Sequence, residues 1–165
     1  MQRKLCAQCS KLTTPTKVKT QNPIDSRLNS FGLRRRSTPT DGNCLFHAVS
    51  SLLSQQNIAV LTAAQLRETV CNFIDENLDL FRVDIEREYG SASKFLNIMR
   101  KQGTYGCCIV LNAISILFDV NFHIHFLTSV FETNPGSNRR NLHIVFLRDL
   151  RSLNGHWEAT EKISL

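Results

Sequence analysis

Asp41-Gly42-Asn43-Cys44-Leu45-Phe46-His47-Ala48-Val49 is the stretch on which the reading of this chain turns. Pro39 and the Asp41-Gly42 pair are turn chemistry. From Asn43 the pattern changes: Cys44, Leu45, Ala48, Val49, Leu52 and Leu53 recur at helical spacing, which predicts a buried helix with Asn43-Cys44 at its first turn. A helix start presents free N–H groups and a partial positive charge. Both favour thiolate over thiol, and the expectation is a Cys44 pKa below the ordinary value of about 8.5. The same N–H groups can hold an oxyanion when a carbonyl is attacked. Gly42 lets the backbone approach a substrate closely.

A nucleophilic thiol needs a base that accepts and returns its proton. The histidines are His47, His123, His125, His143 and His156. His47 lies three residues along the same helix, and His123, His125 and His143 fall inside regular strand patterns. His156 follows Gly155 at a loop-to-strand junction beside the only Trp, a placement that suits an active site better. Glu158, two residues on, shares its strand face. Either it holds the imidazole in the right tautomer, as a third triad member does, or it is an exposed strand carboxylate.

Outward from these residues, Thr62-Ala63-Ala64-Gln65 is a capping box, followed by Leu66, Val70, Phe73 and Ile74 on one helical face. Phe81 to Tyr89 reads as a short helix or an arm. Ser91 or Ser93 caps a helix carrying Phe95, Leu96 and Met99, which Gly103 stops. Another apolar helix starts near Gly106. The period then switches to two: Val120, Phe122, Ile124 and Phe126 alternate with Asn121, His123 and His125, a half-buried strand. Leu142 to Leu147 and His156 to Thr160 are two more strands. Helices first and a meander of strands after them give an α+β fold, layered α/β/α, with a small and mainly antiparallel sheet flanked by helices.

Three segments resemble the ovarian-tumour (OTU) family of cysteine proteases. Residues 41–49 match its nucleophile motif, Gly103-Thr104-Tyr105-Gly106 resembles its GTWGG segment, and Gly155-His156-Trp157-Glu158 resembles its terminal His-aromatic-Asn/Asp motif. The resemblance covers about residues 33–162. It implies a papain-like fold and a deubiquitinase that hydrolyses the isopeptide bond after the C-terminal Gly of ubiquitin or a ubiquitin-like modifier. Cys44 would be the nucleophile and His156 the base. Asp41, Gly42 and Asn43 would frame the oxyanion hole. Tyr105, Gly106 and Trp157 would wall a channel for a Gly-Gly tail, unless the two aromatics are plain core. No metal or other cofactor is implied. Some members take the orienting acid from near the nucleophile, so Asp41 is a second candidate beside Glu158. Tyr105, Cys107 and Glu158 depart from the family's Trp, Gly and Asp/Asn. These departures motivate a rival, an OTU-fold protein that binds ubiquitin without cutting it.

Charge is unevenly placed. Residues 1–40 hold nine Lys/Arg and one acid, a balance of +8, against −2 for the remainder and +6 overall. The expected organisation is a basic, flexible tail over 1–32 and a catalytic domain over 33–165. The tail and its Arg34-Arg35-Arg36 end raise a second rival, a nucleic-acid-binding module. Cys6 and Cys9 have metal spacing, but a lone CxxC is a weak zinc signal. The first residues lack the apolar core of a secretory signal, and no stretch approaches the roughly 18 apolar residues that span a bilayer. Reduced thiols, no membrane partner and a cytoplasmic location, with nuclear entry open through the basic stretch, are the resulting expectations.

Overall fold

The computed structural model describes residues 22–148 and 155–164. Cys6, Cys9 and most of the basic tail lie outside the described residues. Helices α1 (Pro23–Ser30), α2 (Cys44–Gln55), α3 (Ala63–Glu76), α4 (Leu78–Tyr89), α5 (Ala92–Met99) and α6 (Cys108–Leu117) accompany strands β1 (Leu33–Arg36), β2 (Val120–His125), β3 (Val130–Glu132), β4 (Arg140–Arg148) and β5 (Gly155–Lys162). The strands form one sheet in the order β1-β5-β4-β2-β3. β2 and β4 run parallel, while the other three pairings are antiparallel. The sheet is therefore mixed, mainly antiparallel, within an α+β fold. Among the described residues no helix is long and apolar enough to cross a membrane.

The main core is an apolar layer between the sheet and helices α2, α3 and α6. Leu45, Phe46, Val49 and Leu53 from α2 meet Val110 and Ile114 from α6, with Leu142, Ile144 and Ala159 from the sheet. The capping box at Thr62 forms as the sequence predicts: the Thr62 hydroxyl accepts from the Gln65 amide at 3.2 Å, and the Gln65 side chain accepts from the Thr62 amide at 2.9 Å. Ser91, not Ser93, caps α5. Phe81 to Tyr89 belongs to a full helix rather than an arm, because Phe81 and Ile85 bury one face of α4.

Two expectations change. Residues 23–30, assigned to the tail, form α1, whose Ile24 and Leu28 pack against Val145 with Leu33 and Leu147 on the sheet face opposite the main core. Burying such side chains contributes about 2 kcal/mol each. The Arg27 guanidinium also donates to the carbonyls of Phe126 and Ser129 at 2.9 and 3.1 Å. The folded body thus begins before the expected boundary at residue 33. Strand β2 is also buried on both faces, not half-buried. Its polar residues are covered and bonded: Asn121 to Asn141 and Asn134, and His125 to His143.

Candidate active site

Two loops and one strand meet at the head of α2. Asp41 closes the first turn of the approach: its carboxylate accepts from the Asn43 amide at 2.9 Å, and its carbonyl accepts from the Cys44 amide at 3.2 Å. Asn43 stands at the N-cap without capping the helix by its side chain. Instead its Oδ1 crosses to the second loop and accepts from the Gly103 amide at 3.0 Å. The same oxygen accepts from Arg67 Nη2 at 2.7 Å.

Arg67 is the residue that sequence reasoning missed. It is 1% exposed, stacks over the Phe46 ring at 4.0 Å, and donates to the carbonyls of Met99 at 2.8 Å and Thr104 at 2.6 Å. One buried cation on α3 thereby ties the Asp41–Asn43 turn to the end of α5 and the Gly103–Tyr105 loop. Burial holds its guanidinium below the ordinary arginine pKa. The glycines explain the fit of the two loops. A Cβ on Gly42 would collide with the Gly103 carbonyl, and one on Gly106 would collide with the Leu45 side chain. Gly42 serves an approach of backbone to backbone, in addition to any approach of substrate. Tyr105, next to Gly106, is 41% exposed and not core.

Cys44 sits at the first position of α2 and is 1% exposed. Its thiol is pushed above the ordinary cysteine range, not below it. Burial is the largest cause; the main-chain N–H groups of Trp157 and Leu45 pull the other way, and the Asp41 charge adds to the rise. The helix start was expected to depress this pKa, but loss of water around Sγ outweighs it. Asp41, by contrast, is held below the ordinary carboxylate range: slight burial raises it, and bonds from Asn43 with the nearby His47 more than compensate.

The Trp157 N–H that reaches Cys44 Sγ is the amide of the residue after His156 on β5. His156 Nε2 lies 3.4 Å from Thr38 Oγ1 and 4.0 Å from Glu158 Oε1. Thr38 donates its single hydroxyl proton to the Trp157 carbonyl at 2.5 Å, so toward His156 its oxygen can act only as an acceptor. That arrangement favours the tautomer with its proton on Nε2. Glu158 is 9% exposed and so is not the exposed carboxylate of the alternative reading. Its Oε2 accepts from Arg35 Nη1 at 3.4 Å, and Arg35 is gripped by Asp25 from α1. Asp41 turns to His47, at 3.5 Å, on the nucleophile side of the cleft. Trp157 packs on Phe146, centroids 4.7 Å apart, and a Cβ on Gly155 would enter that same Phe146 ring. Trp157 is thus partly core.

The remaining strand histidines form a separate stack. His125 Nε2 and His143 Nδ1 are 2.8 Å apart, and His123 stacks on His143 at 4.8 Å. Burial first, then neighbouring charge, lowers His125 and His143 to about 4, so both are neutral near pH 7. Among the described residues no group of three or more His, Cys, Asp or Glu has the geometry to hold a metal ion.

A protein-family model described as OTU-like cysteine protease matches residues 39–157. The chain is 28% identical over 132 residues to a protein of Invertebrate iridescent virus 3, covering 74% of this chain and 16% of that one. It is 24% identical over 139 residues to the ubiquitin thioesterase otu2 of Schizosaccharomyces pombe, covering 80% of this chain and 46% of that one. The chain therefore spans less than half the length of these curated relatives. Among solved structures, the OTU domain of OTUD1 superposes with a TM-score of 0.67 at 26% identity, over 84% of this chain and 91% of that one. An OTU domain solved in complex with ubiquitin shares the fold, with a TM-score of 0.63 at 19% identity over 78% of this chain and 69% of that one.

Proposed function

This chain belongs to the OTU-like cysteine protease family, and from that premise we propose that it is a deubiquitinase cutting the isopeptide bond after the C-terminal Gly of ubiquitin. The observation that supports the reading most directly is the packing of α2, which begins at Cys44, against β5, the strand that carries His156. One relative is a ubiquitin thioesterase and one structural neighbour is an OTU domain in complex with ubiquitin, and both support ubiquitin as the substrate class.

Chemistry follows from the groups in reach. With Nε2 of His156 turned toward Thr38 and Glu158, Nδ1 is the nitrogen that takes the Cys44 proton. Sγ attacks the glycyl carbonyl carbon, and the C=O π electrons move onto oxygen to give a tetrahedral oxyanion. The amide of Cys44 is a donor available to that oxyanion. It now donates to the Asp41 carbonyl, so substrate must compete with the Asp41 turn for it. His156 returns its proton to the departing lysine amine, leaving a thioester. Water, deprotonated by the same imidazole, then releases the ubiquitin carboxylate and the thiol. Tyr105 and Trp157 flank the entry of the Gly-Gly tail. Glu158 and Thr38 orient His156, and Asp41 acts on the nucleophile side only.

One set of observations favours a second reading, binding of ubiquitin without cleavage: Cys44 is buried with a raised pKa, and Glu158 stands at 4.0 Å from the imidazole, beyond hydrogen-bond reach. Ubiquitin carrying a C-terminal electrophile separates the two. Covalent labelling of the wild type, lost in Cys44→Ala, is the expected result. Ubiquitin binding without any labelling leaves only the binding reading.

A further inference from the structure

We propose that Asp25 and Arg35 form a positioning unit for His156 that acts through Glu158, which makes helix α1 part of the support of the active site. The inference rests on the deubiquitinase reading and goes beyond it.

Glu158 poses a mechanical problem. It is one methylene longer than an Asp at the same place, so its carboxylate can occupy more positions around the imidazole. A carboxylate that wanders cannot hold a tautomer or stabilise an imidazolium. Arg35, on the neighbouring strand β1, supplies the missing restraint. Its Nη1 donates to Glu158 Oε2 at 3.4 Å, leaving Oε1 on the side of His156 Nε2 at 4.0 Å.

An arginine alone would not divide the carboxylate in this way. The guanidinium fork prefers to take both oxygens of a carboxylate at once. Here the fork is already occupied: Asp25 Oδ1 accepts from Arg35 Nε at 2.7 Å, and Asp25 Oδ2 accepts from Nη2 at 3.2 Å. Asp25 has the better pair of bonds and holds the Nε/Nη2 side of the fork, and Glu158 is met by Nη1 alone. Without Asp25, the fork is free to close on both Glu158 oxygens and draw the carboxylate off His156. The Asp25 bond is also the largest cause of the raised proton affinity of Arg35, which fits a locked pair.

Asp25 stands on a fixed platform. α1 is anchored by Ile24 and Leu28 against the sheet and by Arg27 on the carbonyls of Phe126, Leu127 and Ser129. The four groups alternate in sign toward the imidazole: Asp25 negative, Arg35 positive, Glu158 negative, and His156 positive once it holds the thiol proton. Arg35 alone would oppose that last charge, and Asp25 offsets it.

The test is a double-mutant cycle on the full chain, read as kcat and KM for hydrolysis of ubiquitin carrying a fluorogenic C-terminal amide. Arg35→Met should lower kcat about tenfold and Asp25→Asn several-fold, each with KM within about twofold of wild type, because the interaction acts on the chemical step. In a Glu158→Gln background both substitutions should be silent to within about twofold, since the group they position no longer carries charge. Equal losses in both backgrounds would mean a structural role and overturn the proposal, as would unchanged kcat in Arg35→Met. Should Arg35→Met fail to fold, Asp25→Asn, which keeps the strand residue, gives the same decision. A wild type that turns over while Arg35→Met matches it sinks this inference alone. A wild type that neither turns over nor takes the electrophilic ubiquitin sinks the deubiquitinase reading beneath it.

Discussion

The two halves of the cleft are built by different physics. On the nucleophile half, the Asp41–Leu45 and Gly103–Gly106 segments touch backbone to backbone, and Arg67 threads between them with bonds of 2.6–2.8 Å to Asn43, Thr104 and Met99. On the histidine half, His156 is approached by Thr38 at 3.4 Å and Glu158 at 4.0 Å. Close packing and buried bonds fix the first half whether or not substrate is present. The second is arranged but loosely held, as a base that must gain and lose a proton can be. Damage to the first half should therefore appear as lost stability, and damage to the second as lost rate.

Arg67→Met is the severest way to break the contrast. The substitution keeps an apolar stem but removes the guanidinium stacked on Phe46 and every donor with it. The buried Met99 carbonyl and the half-buried Thr104 carbonyl then lose their donor, while Asn43 Oδ1 keeps the Gly103 amide; at about 1–3 kcal/mol for each unmet acceptor we expect a loss of about 3 kcal/mol. For a domain of this size that corresponds to a fall in Tm of roughly 6–12 °C, readable by thermal melt. An Arg67→Met protein that melts like wild type and merely turns over slowly would show that the loop half is held for chemistry and not by packing.

Thr38→Val comes next. Valine matches threonine in shape and deletes the oxygen facing His156 Nε2. It also leaves the Trp157 carbonyl without its hydroxyl donor, a cost of about 1 kcal/mol. The larger effect should be kinetic: kcat/KM for ubiquitin substrates down about tenfold, ~1.4 kcal/mol of transition-state stabilisation. Rescue of rate in Thr38→Ser would sharpen the assignment to the hydroxyl. Equal rates for valine and threonine would leave Glu158 as the orienting group.

Much of this division could be read along the chain, and the unread part has a common cause. Cys44 at a helix start, the Thr62 capping box and the strand carrying His156 are local patterns, each set by neighbours within a few residues. Arg67 is the opposite case. It follows Leu66 in a helix whose apolar stripe runs through Val70 and Ile74, and nothing nearby in sequence reveals that its partners are Asn43, Met99 and Thr104. Asp25 and Arg35 meet Glu158 only because β1 pairs with β5 across more than a hundred residues. The eight residues of α1 looked like tail because their apolar pair, Ile24 and Leu28, finds its cover on Val145. Gly42 was legible as a point of close approach, but the backbone it admits is that of Gly103.

The sign of the Cys44 shift gives the smallest and most discriminating prediction. A helix start and three N–H groups argue for a ready thiolate, whereas burial and the Asp41 charge argue against it, and burial wins. A raised pKa means that the proton stays on Sγ as pH climbs through the ordinary cysteine range near 8.5. Alkylation of Cys44 by iodoacetamide, followed by mass spectrometry of its peptide, should therefore be slower at pH 7 than for a free thiol. It should still be rising above about pH 9. His156→Ala should change this resting profile by less than about threefold, because burial keeps the proton on Sγ before substrate arrives. A plateau already reached near pH 6, abolished by His156→Ala, would mean that the loosely held half forms an ion pair at rest. In that event the imidazole, not the loop packing, would set the state of the nucleophile, and the contrast between the two halves would fail at the atom where they meet.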